Sequence, residues 1–210
     1  MKMTYEKADE MLLFCGSHEK MGAILDLLRY VPIDYKTWLR ILGENWSVCD
    51  NIFAYHKLLK CFLPKVGPVV EMMTEDELAA YEALPDTVTI YRGCGKKNKN
   101  GASWSLDKNI ASKFPFLNRY QVLDPILVTA TVEKCQILAV KLGRQESEVI
   151  TFNAKPGKGI PLSPPEGFYS EVTRDDICAD DPGGTIATDN QVVFETVCYE
   201  PATAIEMVTA

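Results

Sequence analysis

The chain has 210 residues, of which 47% are hydrophobic and 24% are charged, and this composition is that of a folded protein and excludes a largely disordered one. The formal net charge of −7 disfavours a generic binder of duplex DNA, because Lys and Arg contacts to phosphates supply most of that affinity. No apolar run approaches the roughly 20 residues that span a bilayer, and the first residues, MKMTYEKADE, lack the apolar segment of a secretion signal. We therefore expect a cytoplasmic protein without membrane contact.

Helical periodicity dominates the first third of the chain. In SHEKMGAILDLLRY, apolar residues recur with the spacing of one helix face, and Pro32 follows the pattern. A second helix is predicted from its cap Asp34 to a stop at Gly43, and a third covers DNIFAYHKLLKCFL with Phe53 facing inward. Thr74 begins a T-x-x-E capping box that opens a fourth helix.

The pattern changes to that of strands after the LPD sequence. DTVTIYRG alternates apolar and polar residues, and PILVTATVE, QILAV, EVITF and QVVFETV predict further strands. SWS precedes a short helix in LDKNIASKF, for which Ser105 is the predicted cap. Strands that follow strands indicate the α+β class. We predict a helical N-terminal segment over residues 1–85 that packs on a β-rich core over 86–210, with a C-terminal extension from about residue 154.

Metal chemistry is not expected from the sequence. The seven cysteines are scattered without a C-x-x-C pair, and the two histidines, His18 and His56, lie in helix-like segments. This spacing is typical of reduced thiols and matches neither a disulfide framework nor a zinc site. The acidic residues between Asp175 and Asp181 do not have the spacing of an EF-hand loop, so we interpret them as a solvated turn and predict no metal.

Three short motifs place polar residues at predicted strand edges. They are Tyr91-Arg92-Gly93, Ser103-Trp104-Ser105 and Glu146-Ser147-Glu148. Taken singly, each has an ordinary structural explanation, as a surface cation, a helix cap and a solvated strand end. Their combination is more informative, because together they hold groups that suit a phosphate and a flat ligand in one cleft.

The chemistry of these motifs suggests one site. Residues i and i+2 of a strand point to the same face, so Glu146 and Glu148 should present two carboxylates to one cleft, ~6–7 Å apart. The Arg92 guanidinium can bind a phosphate through two parallel hydrogen bonds. Gly93 allows a flat ligand to approach the backbone closely. A serine hydroxyl nearby can orient a carboxylate.

The succession IYRG, GASWSL and RQESEVI resembles the R-S-E class of mono-ADP-ribosyltransferases, in which Y-R-G, S-T-S and E-x-E motifs lie on successive strands of an NAD⁺-binding core. The resemblance covers roughly residues 86–152 and is closest to stand-alone enzymes of phages and bacteria that carry a helical N-terminal segment. It implies an ADP-ribosyltransferase-like β-sandwich core. Trp104 replaces the usual threonine, and the chain continues about 60 residues past E-x-E, where the family commonly ends.

The resemblance also implies a role for each matching residue, with NAD⁺ as cosubstrate. Arg92 would hold the phosphates and the nearby ribose, and the backbone of Gly93 would bind the nicotinamide amide. Ser103 would orient Glu148, which would bind the nicotinamide ribose and stabilise the positive charge of the transition state as nicotinamide leaves. Glu146 would accept a proton from the incoming nucleophile.

The resemblance has implications for three further residues. Ser105 would tie the sheet and contribute to the cofactor site, and Phe116 or Tyr120 would stack on the nicotinamide, although ordinary packing explains either ring equally well.

The E-x-E form of the motif accompanies arginine as acceptor, so the resemblance implies a glycosyltransferase that modifies an arginine of a target protein, as a phage effector or bacterial toxin in a host cytoplasm. Transfer to a nucleic acid or small molecule, NAD⁺ hydrolysis, and an inactive binding or inhibitor module stay open as alternatives.

Overall fold

The computed structural model describes residues 2–117, 122, 124–143 and 147–164, all of which belong to one unit, Met1–Glu166. Several sequence predictions fall on residues outside these ranges. They concern Glu146, Tyr120, the acidic turn between Asp175 and Asp181, the strand QVVFETV and the rest of the C-terminal extension beyond residue 164.

The described part of the chain contains six α-helices and six β-strands. The helices are α1 (Tyr5–Leu12), α2 (Ser17–Tyr30), α3 (Tyr35–Asn45), α4 (His56–Phe62), α5 (Glu75–Glu82) and α6 (Lys108–Lys113). The strands are β1 (Thr87–Cys94), β2 (Ser103–Ser105), β3 (Ile126–Glu133), β4 (Ala139–Lys141), β5 (Glu148–Ile150) and β6 (Ile160–Pro161). Helices precede strands that pair in one antiparallel sheet, which confirms the predicted α+β class.

The N-terminal caps of the helices follow the sequence closely. The Asp34 carboxylate accepts from the backbone N–H groups of Lys36 (3.0 Å) and Thr37 (3.2 Å), and it thereby satisfies two donors of the first turn of α3. Thr74 and Glu77 form the predicted capping box of α5. Local side-chain chemistry therefore determines where these helices begin.

The predicted stop of α3 at Gly43 is wrong, because the helix continues to Asn45. A Cβ atom at Gly43 would lie 2.3 Å from the backbone oxygen of Met72. The glycine therefore permits a close crossing of two backbone segments and does not end the helix.

Two other local predictions are also wrong. The cap of α6 is Asp107, whose carboxylate accepts from Asn109 N (2.6 Å) and Ile110 N (3.2 Å), whereas Ser105 Oγ accepts from Asp107 N (3.0 Å) in the preceding turn. Phe53, which was expected to face inward, is 42% exposed. Helical periodicity does not apply at Phe53, because Ile52–Tyr55 forms a 3₁₀ turn.

The strand order of the sheet is β4-β5-β2-β1-β3-β6. The three strands that carry the motifs, β1, β2 and β5, are consequently neighbours. β1 pairs with β3 along its whole length, from Thr87↔Glu133 to Cys94↔Ile126, but it pairs with β2 only at Tyr91↔Ser105. The two strands therefore diverge beyond that pair.

Hydrophobic residues cover the sheet on both faces. Successive residues of a strand point to opposite faces, and Val149 and Ile150 of β5 accordingly belong to different hydrophobic clusters. The cluster of Ile150 is built mainly from α1–α4, while the cluster of Val149 includes Tyr81 of α5. The N-terminal helices thus pack on the same face of β5 that carries Glu148, which is two residues from Ile150.

A buried ion pair attaches α5 to β4. Lys141 Nζ lies 2.6 Å from Glu77 Oε2 and 3.0 Å from the Met72 carbonyl oxygen, and Glu77 also accepts from the backbone N–H groups of Thr74 and Leu142. Burial alone would raise the pKa of Glu77, but Lys141 and the two backbone donors hold that pKa below its ordinary value. All the charges of this cluster are therefore compensated.

We predict that Lys141→Met lowers the free energy of unfolding by about 3–5 kcal/mol, because it leaves the Glu77 carboxylate buried without its counter-ion. Urea unfolding at neutral pH measures this change. Lys36→Met is the control, since it breaks the exposed Lys36–Glu71 pair (3.4 Å) and should cost at most about 1 kcal/mol. Equal stabilities of the two variants would contradict the structural role of the buried pair.

Candidate functional site

A cavity of about 330 Å³ lies where β1 and β2 diverge. Its walls come from β1, β2, the first residue of β5, the region of α6, and the segment that follows α3. Both polar and apolar side chains line it, and its volume is at the lower end of the range for small-molecule sites, about 300–1,000 Å³. The cavity therefore brings described residues of all three sequence motifs to one place, with Glu148 as the contribution of the third.

Arg92 lies in the gap between the two strands. Its Nη1 donates to the Ser103 carbonyl and its Nε donates to the Asn98 carbonyl (3.3 Å). A Cβ atom at Gly101 would lie 2.4 Å from Arg92 Nη2, so any larger residue there would require the guanidinium to shift from this position. Burial lowers the pKa of Arg92, and Cys94 and Glu148 act in the opposite direction. The group remains a cation, because the ordinary pKa of arginine is above about 12.

Glu148, at the start of β5, receives hydrogen bonds from the helical segment. Trp46 Nε1 donates to Glu148 Oε1 (3.1 Å), and Ser47 Oγ donates to Glu148 Oε2 (3.3 Å). Trp46 Nε1 lies equally close to Ser103 Oγ (3.1 Å). Burial raises the pKa of Glu148 above its ordinary value, although Ser103, Trp46, Ser47 and then Arg92 act in the opposite direction. The carboxylate is thus partly desolvated, held in one orientation and opposed by a cation.

The sheet explains why Ser103 and Glu148 meet. Ser105 is paired with Glu148 and Ser103 with Ile150, and directly opposed residues of two strands share a face. Ser103, Ser105 and Glu148 therefore share the face on which the N-terminal helices pack. The proximity of Ser103 to Glu148 agrees with the orienting role that the resemblance implies.

Glu146 and Glu148 were predicted to share one face of a regular strand, but the backbone between them is not that of a strand. The rule that residues i and i+2 share a face requires an extended residue between them. Ser147 instead has a φ of 43°, in the left-handed region, and β5 begins only at Glu148. The spacing rule therefore gives no position for Glu146.

Gly93 lines the cavity, but α6 occupies the space beside it. A Cβ atom at Gly93 would lie 1.9 Å from the Ala111 carbonyl oxygen, so this glycine is required for the packing of α6 on β1. Among the described residues near α6, Phe114 and Pro115 line the cavity, whereas Phe116 does not.

Sequence reasoning missed Trp46 and Ser47 entirely. Trp46 lies 57 residues from Ser103 and 102 from Glu148 in the chain, Ser47 lies 101 from Glu148, and neither belongs to a recognisable motif. Phe53 was also missed as a lining residue, because it was expected in the core. The one available signal was Trp46 itself, since a buried tryptophan needs an acceptor for its N–H group.

Comparison with protein-family models, with curated proteins and with solved structures gives no match to this chain. In the ranges that the structure describes, no helix has the length and apolar character to cross a membrane. Within the same ranges, no group of three or more His, Cys, Asp or Glu side chains is arranged to hold a metal ion.

We predict that Gly101→Ala lowers the free energy of unfolding by about 1–3 kcal/mol, because the added methyl displaces the Arg92 guanidinium from its backbone acceptors. Gly95→Ala is the matched control, since its Cβ would lie 3.5 Å from Val122, an ordinary contact. Urea unfolding of both variants measures the difference. A Gly101→Ala protein as stable as Gly95→Ala would show that the guanidinium is not fixed by this glycine.

Proposed function

We propose that the protein is an NAD⁺-dependent mono-ADP-ribosyltransferase that transfers ADP-ribose to an arginine of a target protein and releases nicotinamide. The observation that carries the proposal is the convergence of Arg92, Ser103 and Glu148 at one cavity, from three adjacent strands. The resemblance in sequence expects these three residues on successive strands. We also propose that the sheet is the core of an ADP-ribosyltransferase-like sandwich.

The groups that line the cavity suit the nicotinamide ribose end of NAD⁺. Glu148 is a fixed carboxylate that can accept from a sugar hydroxyl, and Arg92 is a cation that suits the neighbouring phosphate. Phe53, Phe114 and Pro115 supply apolar surface for a flat ring. A cavity of about 330 Å³ fits this end of the cosubstrate better than the whole dinucleotide.

The proposed chemistry is electrostatic. As the bond between nicotinamide and ribose breaks, positive charge develops on the ribose, and the Glu148 carboxylate would stabilise it in a partly desolvated site. Glu146 would then accept the proton that the arginine nucleophile loses on attack. The released nicotinamide takes the electron pair of the broken bond.

Incubation of the protein with labelled NAD⁺ and a host lysate tests the proposal. Labelled protein bands that an arginine-specific ADP-ribosyl hydrolase removes would support arginine transfer. Free ADP-ribose without labelled protein would indicate an NAD⁺ glycohydrolase instead. No consumption of NAD⁺ would overturn the proposal in favour of a binding module.

We predict that Glu148→Gln lowers both transfer and NAD⁺ hydrolysis by about 100-fold or more, because it removes the charge that stabilises the transition state. Nicotinamide release measured by chromatography gives both rates. Glu82→Gln, at an exposed position of α5, is the control and should keep full activity. Full activity of Glu148→Gln would reject the assignment of this motif.

We predict that Glu146→Gln lowers transfer to arginine by about 100-fold, the contribution of one general base. NAD⁺ hydrolysis should persist, since water is a smaller acceptor and Glu148 is intact. The ratio of labelled protein to free ADP-ribose measures the change. Parallel loss of both products would mean that the two glutamates do not have separate roles.

A further inference from the structure

The contact between Trp46-Ser47 and Glu148 joins two parts of the molecule with different architecture. Trp46 and Ser47 lie in the 3₁₀ turn that follows α3, in the helical segment, whereas Glu148 begins a strand of the sheet. Each oxygen of the Glu148 carboxylate accepts from one of these residues, Oε1 from Trp46 and Oε2 from Ser47. Two donors on two oxygens define both the position and the rotation of the carboxylate plane.

We propose that Trp46 and Ser47 are positioning residues that hold the Glu148 carboxylate in the orientation used for catalysis, which makes the helical segment part of the active site. This inference rests on the proposed function, because it assigns a role to the same carboxylate. It goes beyond the sequence motifs, in which only Ser103 is expected to orient Glu148.

Trp46 cannot turn away from this position without cost. Its side chain is fully buried, at 0% exposure, and Gly43 in the preceding turn is pressed against the Met72 backbone. A buried N–H group without an acceptor is destabilising by about 1–3 kcal/mol. The acceptors that the indole has are Ser103 Oγ and Glu148 Oε1, so its contact with the sheet persists as long as the helices stay packed.

The hydrogen bonds from Trp46 and Ser47 orient the Glu148 carboxylate without using all of its acceptor directions. An ionised carboxylate has about four acceptor directions, two on each oxygen. Trp46 and Ser47 use one direction on each oxygen, and a hydrogen bond from Ser103, which lowers the pKa of the group more than either of them, uses a third. The fourth direction can accept from a sugar hydroxyl. The arrangement therefore differs from an autoinhibitory contact, which would have to be broken before substrate binds.

Charges around Glu148 determine what happens when a donor is removed. Arg92 of β1 lowers the pKa of Glu148 through its charge. Asp50 and Cys49 line the same cavity from the helical segment, and Cys94 lines it from β1. Trp46 and Ser47 stabilise the charged form of Glu148, so loss of either donor raises the pKa of that carboxyl. Arg92 is unchanged in such variants and still favours ionisation.

The first experiment is the variant Trp46→Phe, which removes the N–H group and keeps most of the ring. We expect kcat for NAD⁺ hydrolysis to fall by about 100-fold, the effect of a small misplacement of a catalytic group, while KM changes little. The acidic limb of the pH–rate profile should move to higher pH. Ser47→Ala should change both quantities in the same direction, and Ser47→Thr should restore them because it keeps the hydroxyl.

Trp38→Phe is the matched control for these effects. Trp38 is fully buried, as Trp46 is, and it lies in α3, the helix that precedes Trp46. Its Nε1 donates to the Ile24 carbonyl oxygen (2.7 Å) and not to Ser103 or Glu148. A general loosening of the helical segment would lower kcat in Trp38→Phe as much as in Trp46→Phe, and that result would overturn the inference. Ser47→Ala changes a partly exposed residue, so it tests the inference even if Trp46→Phe does not fold.

A measurement independent of activity separates this inference from the proposed function. The carboxyl ¹³C signal of Glu148, identified by its loss in Glu148→Gln, gives the pKa of the group directly. A higher pKa in Trp46→Phe and Ser47→Ala than in the parent protein supports the positioning role. An unchanged pKa in both variants overturns it. A raised pKa in a protein that never consumes NAD⁺ would leave the positioning contact standing and reject the proposed function alone.

Discussion

The indole N–H group of Trp46 is the point at which the helical segment and the sheet depend on each other. It is buried, and its acceptors, Ser103 Oγ and Glu148 Oε1, lie on two neighbouring strands. A buried donor without an acceptor would destabilise the packed state. The end of α3 must therefore lie at the distance and angle from the sheet at which the indole N–H group reaches its acceptors. Gly43 contributes to this placement, because it allows the Met72 backbone to cross α3 closely.

The cavity exists because β1 can separate from β2 without losing its support. β1 remains paired with β3 along its full length, whereas its pairing with β2 is reduced to Tyr91↔Ser105. Arg92 bridges the gap through its hydrogen bonds to the Ser103 and Asn98 carbonyls. The same residue therefore stabilises the opened strands and places a cation in the cavity, and these two roles constrain it more than either would alone.

Local patterns in the sequence were sufficient for α2 to α6, for β1 to β5 and for singling out Arg92, Ser103 and Glu148, whereas α1 and the two-residue strand β6 were not predicted. Capping residues such as Asp34 act within one turn, and strand periodicity needs only a few neighbours.

Most of the failures have non-local causes or involve unusual backbone, whereas the wrong cap of α6 was a local choice between Ser105 and Asp107. Trp46 and Gly43 are explained only by partners distant in the chain. Ser147 has a left-handed φ, a conformation that a sequence usually signals with glycine. The strand rule could therefore not place Glu146. The ADP-ribosyltransferase fold and activity themselves stay predictions.

The buried Glu77–Lys141 pair has a consequence for the response of the fold to acid. Because the pKa of Glu77 is held below its ordinary value, its contribution to stability is complete above the pKa of an unfolded glutamate, about 4.3, and is lost as the pH falls through the lowered folded value. Protonation of Glu77 would break the ion pair between α5 and β4, and it would leave the Lys141 ammonium buried without a counter-ion. The α5–β4 junction is therefore stable at neutral pH and weakens under strongly acidic conditions.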